Sequence, residues 1–333
     1  MSARQRMSQM SSSRSVAACI ASGVQEDGAG ARTQRALGGG ALPALDPFAF
    51  VSEWRCGAPR GFADHPHRGV ETITLVTAGG DGEGELVHEA SDGTTQRLAG
   101  DGGDHLPDVV HTHCGRGVIV SELPAAGIVH GLHVWLNTSR RHKMRAPETT
   151  VAKTEAVVVE PGGAAVRDVG AALRDARAAD EGDVLSGLVF LHVALPPGAA
   201  FERVLPREQS ALVYVLRGAL EILGQPDDGR RRKPTRADAG CCCALRDDAD
   251  GVRLRATPEP APPSLPPEGM HGAQYGCELV LLCAPPLGEP IVQYGPFVAG
   301  SHDEVKRAMS DFQLGHNGFD VAQAWHERRE RTG

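Results

Sequence analysis

Residues 62–72 read Phe-Ala-Asp-His-Pro-His-Arg-Gly-Val-Glu-Thr, and this stretch decides both the fold and the candidate chemistry of the chain. Side chains in an extended segment alternate between its two faces, so His65 and His67 are expected to point to the same side. Pro66 restricts the backbone between them, which lowers the entropy that the pair loses when it binds a ligand. The stretch therefore predicts a preorganised pair of imidazoles.

A carboxylate further along the chain, Glu122, extends this pair to a set of three polar groups. Two histidines and one carboxylate, with coordination positions left open, are the ligands of mononuclear non-haem Fe(II) sites that activate dioxygen. On the two histidines alone, a surface His-x-His turn without a metal explains the pattern equally well. The rest of the chain has to separate these two interpretations.

Length and composition restrict the class of protein. A chain of 333 residues is expected to form two domains of ordinary size. Glycine (41) and proline (23) are frequent, yet 41% of the residues are hydrophobic and fall in short runs, which indicates a turn-rich globular protein. The net charge of −8 argues against direct binding of nucleic acid. No apolar stretch reaches the length of a membrane span.

The cysteines and the N-terminus bear on the compartment. Eight cysteines, at positions 19, 56, 114, 241, 242, 243, 277 and 283, form neither a disulfide framework nor a Cys-x-x-Cys pair. We therefore expect a reducing compartment, the cytoplasm or nucleus, with residues 241–243 packed as small apolar side chains. Residues 1–23 are predicted to be a disordered or targeting segment, because residues 1–25 contain arginines and serines but no acid, as organellar import sequences do.

Short apolar clusters predict two β domains. The first covers residues 24–142 and includes β-like runs at 70–76 and 132–136. A charged, alanine-rich linker with one helix (171–179) is predicted over 143–180. The second domain covers 181–333, with a proline-rich loop at 256–268 and two terminal helices at 305–312 and 319–330. Nine of the 14 histidines lie between residues 65 and 142, so a metal site would belong to the first domain.

Several motifs together resemble the pirin family of the bicupin superfamily. They include the stretch 62–72 quoted above, Ser-Glu-Leu-Pro at 121–124, His-Gly-Leu-His-Val-Trp-Leu-Asn at 130–137 and Glu-Pro-Ile-Val-Gln-Tyr-Gly-Pro-Phe-Val at 289–298. The resemblance covers residues 24–328 in order. It implies an all-β fold of two cupin β-barrels with a short C-terminal helical segment, and one Fe(II), or another divalent metal, in the N-terminal barrel.

The family's metal ligands carry over at three positions only. The resemblance assigns His65, His67 and Glu122 as ligands, but Val120 occupies the place of the family's third histidine. Three interpretations follow. Water fills the additional open position; or His133, which stands where the family has a glutamine, substitutes as a ligand; or the site binds no metal and the protein serves as a scaffold. His111 and His113, in the altered segment 104–114, are further candidates for the lost ligand.

The resemblance also implies two functions of different classes. One is an Fe(II)-dependent dioxygenase of the quercetin 2,3-dioxygenase type, acting on a flavonol or other small phenol, with Glu122 as general base. The alternative is a metal-responsive or metal-free co-regulator that binds protein partners. In either case we expect a monomer that contacts neither nucleic acid nor membrane.

Residues around these ligands carry further expectations. Arg68 and Glu71 are predicted to pair with each other or to orient the ligands, and His88 is interpreted as a surface residue. His130 is expected in the core or at a strand end, and Trp135 in the barrel wall. The apolar residues Met309, Phe312, Phe319 and Trp325 are predicted to pack against the first domain.

Overall fold

The computed structural model describes residues 10–39, 42–77, 84–100, 106–155, 157–177, 183–226, 230, 232–258, 276–322, 324, 325 and 327. Within these residues the chain forms β-strands and two α-helices, which confirms the all-β class. Most of the predicted proline-rich loop lies outside the described residues.

The strands, numbered in chain order, are β1 Val16–Ala21, β2 Val24–Asp27, β3 Ala31–Leu37, β4 Phe48–Gly57, β5 Phe62–His67, β6 Val70–Thr77, β7 Glu85–Ala90, β8 Thr95–Ala99, β9 Val109–His113, β10 Val118–Ala126, β11 Ile128–Asn137, β12 Glu148–Ala152, β13 Val158–Val159, β14 Ala165–Asp168, β15 Val189–Leu195, β16 Ala200–Val204, β17 Ser210–Ile222, β18 Thr235–Asp238, β19 Cys241–Leu245, β20 Gly251–Ala256, β21 Cys277–Ala284, β22 Val292–Tyr294 and β23 Phe297–Ala299. The helices are α1 Val169–Ala176 and α2 His302–Leu314, and Val184–Gly187 form a 3-10 turn.

The N-terminal barrel consists of two antiparallel sheets. One has the order β12-β9-β6-β11-β4-β3-β2 and the other β5-β10-β7-β8. Strand β6 is buried along its whole length because both of its faces are covered. Thr72 and Thr74 on one face line the interior of the barrel. Ile73 and Leu75 on the other face join a core shared with the C-terminal barrel.

The C-terminal barrel is built from a ten-stranded antiparallel sheet. Its longest strand, β17, runs without a break through Gly218. Gly218 has φ +75°, and a Cβ atom at this position would come within 2.0 Å of the Gly276 carbonyl oxygen. Glycine therefore lets the strand bend and continue, since other residues are strained in this region and would clash here.

The N-terminal segment belongs to the C-terminal barrel. Strand β1 pairs with β19, so residues 10–21, which the sequence pattern placed outside the barrels, extend this sheet. Arg14 is fully buried and donates hydrogen bonds to the carbonyl oxygens of Gln209 (2.7 Å) and Pro206 (2.6 Å). Cys19 and Cys243 form a disulfide, which corrects the expectation that the cysteines offer no disulfide pairing. Residues 1–9 lie outside the described part.

The C-terminal segment, conversely, packs on the N-terminal barrel. The predicted apolar contacts are confirmed, because Ile119 of β10 shares a cluster with Phe297, Phe319 and Trp325, and Met309 and Phe312 pack against it. Of the second predicted helix, residues 322, 324, 325 and 327 are helical. Each barrel is thus completed by a terminal segment from the other half of the chain.

The segment predicted as a linker contributes strands to both barrels. Strand β12 pairs with β9 in the N-terminal barrel, and β14 pairs with β15 in the C-terminal barrel. Helix α1 begins at Val169, earlier than predicted, because the side chain of Asp168 accepts a hydrogen bond from the Ala171 amide and caps the helix. In the described part of the chain, no helix is long and apolar enough to cross a membrane.

Candidate metal centre

The predicted histidine pair lies on β5, at the edge of the smaller sheet of the N-terminal barrel. The imidazole rings of His65 and His67 stand 4.8 Å apart between their centroids, on the same side of the strand. The Nδ1 atom of His65 lies 2.8 Å from the carbonyl oxygen of Ala63, which fixes the orientation of the ring. Alternation along the strand, with Pro66 pointing away, thus brings the two rings together as expected.

Strand β10 places Glu122 and Val120 beside this pair. Val120 lies directly opposite His65 in the antiparallel register. Glu122 is 4% exposed and accepts a hydrogen bond from the Thr74 hydroxyl on its Oε1 atom (2.7 Å). The structure therefore brings three of the predicted residues into one site, and it puts an aliphatic side chain where the family resemblance implies a third imidazole.

Two further imidazoles contact the carboxylate of Glu122. His88 Nδ1 lies 3.0 Å from Oε1 and, since an ionised carboxylate only accepts, donates a hydrogen bond to it. His133 Nε2 lies 2.8 Å from the other oxygen, Oε2. His133 thus reaches the site, as the interpretation of a substitute ligand requires, and its ring is held between Trp54 and Phe62.

The surface interpretation of His88 is wrong, because its side chain is only 2% exposed. Residues 86, 88 and 90 of β7 are buried while their neighbours are half-buried, so His88 shares the inner face of the strand with Leu86 and Ala90. This alternation of apolar residues around a histidine was the signal that could have placed it inside the barrel.

A cavity of about 650 Å³ connects these groups. Its polar lining includes His65, His67, His88, His133, Glu122, Thr72 and Thr74, together with Asp27, Arg35, Asp64 and Gln293, and its apolar lining includes Phe50, Phe62, Val120 and Trp135. Trp135 therefore lines the cavity as well as forming part of the barrel wall. Its ring stacks on Phe50, with a centroid distance of 4.4 Å, and lies edge-on to His67 at 4.8 Å.

The site favours neutral imidazoles at His65 and His67 and an ionised carboxylate at Glu122. Burial lowers the pKa of His65 and holds that of His67 well below its ordinary range, and the nearby His65 lowers the pKa of His67 further. Burial alone would raise the pKa of Glu122, but the charge and hydrogen bonds of His133 and His88 outweigh it and bring that pKa well below its usual range. These are the protonation states that metal coordination requires.

The donor types of the site fit a divalent first-row metal. The side chains are nevertheless arranged by their hydrogen bonds and ring contacts with each other. Within the described residues, the buried Nε2 of His88 has no hydrogen-bond partner, whereas Nε2 of His133 contacts Oε2 of Glu122. Imidazole and carboxylate groups together suit iron, nickel or zinc. Among the described residues, however, no group of three or more His, Cys, Asp or Glu side chains already stands in a geometry that could hold a metal ion.

Several other predicted residues lie elsewhere. His111 and His113 belong to the regular strand β9 and contact Glu71, at 2.8 Å (Nε2 to Oε2) and 3.5 Å (Nδ1 to Oε1). Glu71 lies on the outer face of β6, whereas Thr72 and Thr74 on the inner face line the cavity. Because His111 and His113 contact Glu71, neither histidine reaches the cavity.

Arg68 and Glu71 do not pair with each other, because Arg68 donates to Asp311 Oδ2 (2.6 Å). His130 is buried, as expected for a core position, with Nε2 2.6 Å from Glu53 Oε1. Arg68 and His130 therefore contact residues outside the candidate metal centre, and neither lines its cavity.

Comparison with known proteins gives consistent matches. The family described as "Pirin" matches residues 30–136, and the "Pirin C-terminal cupin domain" matches residues 268–318. Pirin from Rattus norvegicus is 30% identical over 321 residues, covering 96% of this chain and 99% of the relative. Human pirin is 29% identical over the same length, with the same coverage.

Solved structures share the fold. A quercetin 2,3-dioxygenase from Acinetobacter baumannii superposes with a TM-score of 0.69 at 18% identity, covering 90% of this chain and 89% of that one. The bacterial pirin YhhW from Escherichia coli, in complex with nickel(II), superposes with a TM-score of 0.54 at 14% identity, covering 80% and 96%. At these identities the likeness establishes the two-barrel fold.

Proposed function

Since the chain belongs to the pirin family, we propose that its N-terminal barrel binds a divalent metal, Fe(II) foremost, and acts as a dioxygenase of the quercetin 2,3-dioxygenase type. The observation that carries this proposal is the cavity itself, onto which four imidazoles and the ionised carboxylate of Glu122 face. The quercetin dioxygenase among the structural neighbours, and the nickel(II) bound by YhhW, support the same class of site.

His65, His67 and Glu122 would hold the metal, with His133 as the fourth donor. Oε1 of Glu122 already accepts hydrogen bonds from Thr74 and His88, whereas Oε2 faces His133 Nε2. Glu122 and His133 would therefore hold a metal while Glu122 keeps its hydrogen bonds from Thr74 and His88. In this arrangement His88 and Thr74 orient Glu122, as outer partners of metal ligands commonly do.

The protein would contribute binding and proton transfer. When bound, the metal supplies Lewis acidity that makes a substrate hydroxyl more acidic. Glu122 would take that proton as general base when its carboxylate loosens from the metal, with Thr74 and His88 keeping it in position. The rings of Phe50 and Trp135, tilted by 30° to each other, form an apolar wall against which a phenol or flavonol ring would pack.

Metal analysis combined with oxygen uptake tests this function. Protein purified without chelator is expected to contain close to one equivalent of metal and to consume oxygen with quercetin. A metal content under about a tenth of an equivalent, with no oxygen uptake, would overturn it. His65→Ala should lose both properties. His192→Gln is the matched control, because His192 also contacts a carboxylate (Glu278, 2.7 Å) but lies in the C-terminal barrel.

A second function, that of a metal-responsive or metal-free co-regulator acting through protein partners, is favoured by Val120. The valine removes one imidazole donor from the position opposite His65. In this alternative the barrel is a binding scaffold, and the same experiment separates the two: absence of oxygen uptake with quercetin, with or without bound metal, supports the co-regulator.

A further inference from the structure

A second cavity, of about 380 Å³, lies between the N-terminal barrel and helix α2. The barrel side presents Arg68, Arg140 and Lys143, and the helix presents Glu304, Arg307 and Asp311. This cavity is separate from the candidate metal centre, because the two share no lining residue. Nothing in the proposed dioxygenase chemistry uses it.

The charges that line this second cavity are unbalanced. Four cationic side chains face two carboxylates, which leaves an excess of two positive charges. The chain as a whole carries a net charge of −8, so a local positive excess in a concave site runs against the general composition. A concave site lined by cations concentrates anions, because the low-dielectric walls focus the field of the cations.

The carboxylates leave much of this positive charge uncompensated. Asp311 binds Arg68, with 2.6 Å between Oδ2 and Nη1. Glu304 is 3.4 Å from Arg140 Nη2 and also accepts a hydrogen bond from the amide of Gly300. Arg307 is exposed and has no hydrogen bond or ion pair with any residue in the described part of the chain.

Lys143 supplies a buried cationic group in the wall of the cavity. Its ammonium donates to the carbonyl oxygen of Gly69 (2.6 Å) and to Oδ1 of Asn137 (2.7 Å), which occupies two of its three donors. Burial lowers the pKa of Lys143 to about 8, so the group is still mainly protonated at neutral pH. A nearby anion would stabilise this charge.

We propose that this cavity binds a small oxyanion of about two negative charges, either a phosphate group or a dicarboxylate. Guanidinium and ammonium groups are the donors that proteins use for both, through charge-assisted hydrogen bonds. Val298, Ala299 and Ala308 complete the lining, so the carbon part of a small metabolite would have an apolar contact surface. The volume suits a ligand of that size.

The site would also lie next to the histidine motif. Arg68 directly follows His67, and Lys143 holds the carbonyl of the next residue, Gly69. An anion bound at Lys143 would therefore act on the turn that ends β5. Binding of the anion itself depends only on the second cavity, so it stands or fails independently of the dioxygenase proposal.

Calorimetric titration of the full chain with inorganic phosphate and, separately, with succinate tests the proposal at matched ionic strength. Saturable binding of one or both is expected, and the anion that binds identifies the ligand class. The double variant Arg140→Gln, Arg307→Gln should raise Kd on the order of tenfold. Both arginines are exposed, so this variant is expected to fold, and circular dichroism checks it.

Arg236→Gln is the matched control, because Arg236 is likewise exposed and paired with a carboxylate, Asp238, but lies on the C-terminal barrel. It should leave Kd unchanged. Absence of saturable binding of both anions would overturn the proposal. An unchanged Kd in the double variant would also overturn the proposal.

Discussion

Val120 lies directly opposite His65 across the antiparallel pair of strands β5 and β10, with its side chain lining the same cavity. The position is geometrically suited to a ligand, but a valine cannot donate an electron pair. The pairing therefore identifies the one change in this chain that should alter metal affinity most directly.

Val120→His is expected to raise metal affinity by roughly 10- to 100-fold, because it adds an imidazole beside His65. Competition with a chromophoric chelator measures the change. Val120→Ala removes similar apolar contacts without adding a donor, and its metal affinity should stay at the wild-type value. Equal affinity in the histidine and alanine variants would contradict the expectation.

His133→Ala should weaken metal binding by about 100-fold, since His133 Nε2 lies 2.8 Å from Oε2 of Glu122, the oxygen that neither Thr74 nor His88 binds. His88→Ala should have a smaller effect, because His88 contacts the oxygen that Thr74 also binds. Metal content after dialysis distinguishes the two. If His88→Ala loses the metal and His133→Ala retains it, the fourth donor is His88.

Trp135→Ala should raise KM for a flavonol about tenfold while the bound metal stays constant, because the variant removes one of the two stacked rings in the cavity wall. Steady-state oxygen uptake, with metal analysis of the same sample, measures both quantities. Loss of metal in this variant would show instead that Trp135 holds His67 in place.

Glu278 should make the C-terminal barrel sensitive to acid. Burial tends to raise its pKa, but the hydrogen bond and charge of His192, together with Arg217, lower it to about 2. The ionised carboxylate therefore stabilises the fold above its ordinary pKa near 4.5, and this contribution disappears as pH falls through about 2. Denaturant unfolding between pH 7 and 2 should show a loss on the order of 2 kcal/mol that Glu278→Gln does not show.

Arg14→Ala is expected to destabilise the protein by about 3 kcal/mol, because it strands buried carbonyl oxygens and leaves Asp247 without its partner. Urea unfolding measures the change. Arg236→Ala, at an exposed ion pair, should change the free energy of unfolding by under about 1 kcal/mol. A similarly small effect for Arg14 would contradict its role in anchoring the N-terminal segment.

Local pattern was sufficient for most strands and for the histidine pair. Strand side chains alternate whatever the surroundings, so the sequence alone placed His65 and His67 on one side of a strand. Apolar periodicity similarly identified α2 and its contact face. Positions that depend on a distant partner could not be predicted. Residues 1–15 are polar and serine-rich, but the apolar residues 16–21 that follow form β1, because β19 offers them an unpaired edge.

The sequence by itself determined the two-barrel architecture, the family, and three of the candidate ligands, because these rest on short-range patterns and motif order. Only the tertiary structure decided which other histidines join them. His88, His111 and His133 are the same residue type in similar strands. Strands β7 and β11 direct His88 and His133 towards Glu122, whereas β9 directs His111 towards Glu71. Alternation along β7 indicates that His88 is buried, but which buried side chain meets Glu122 is set by pairing between strands far apart in the chain.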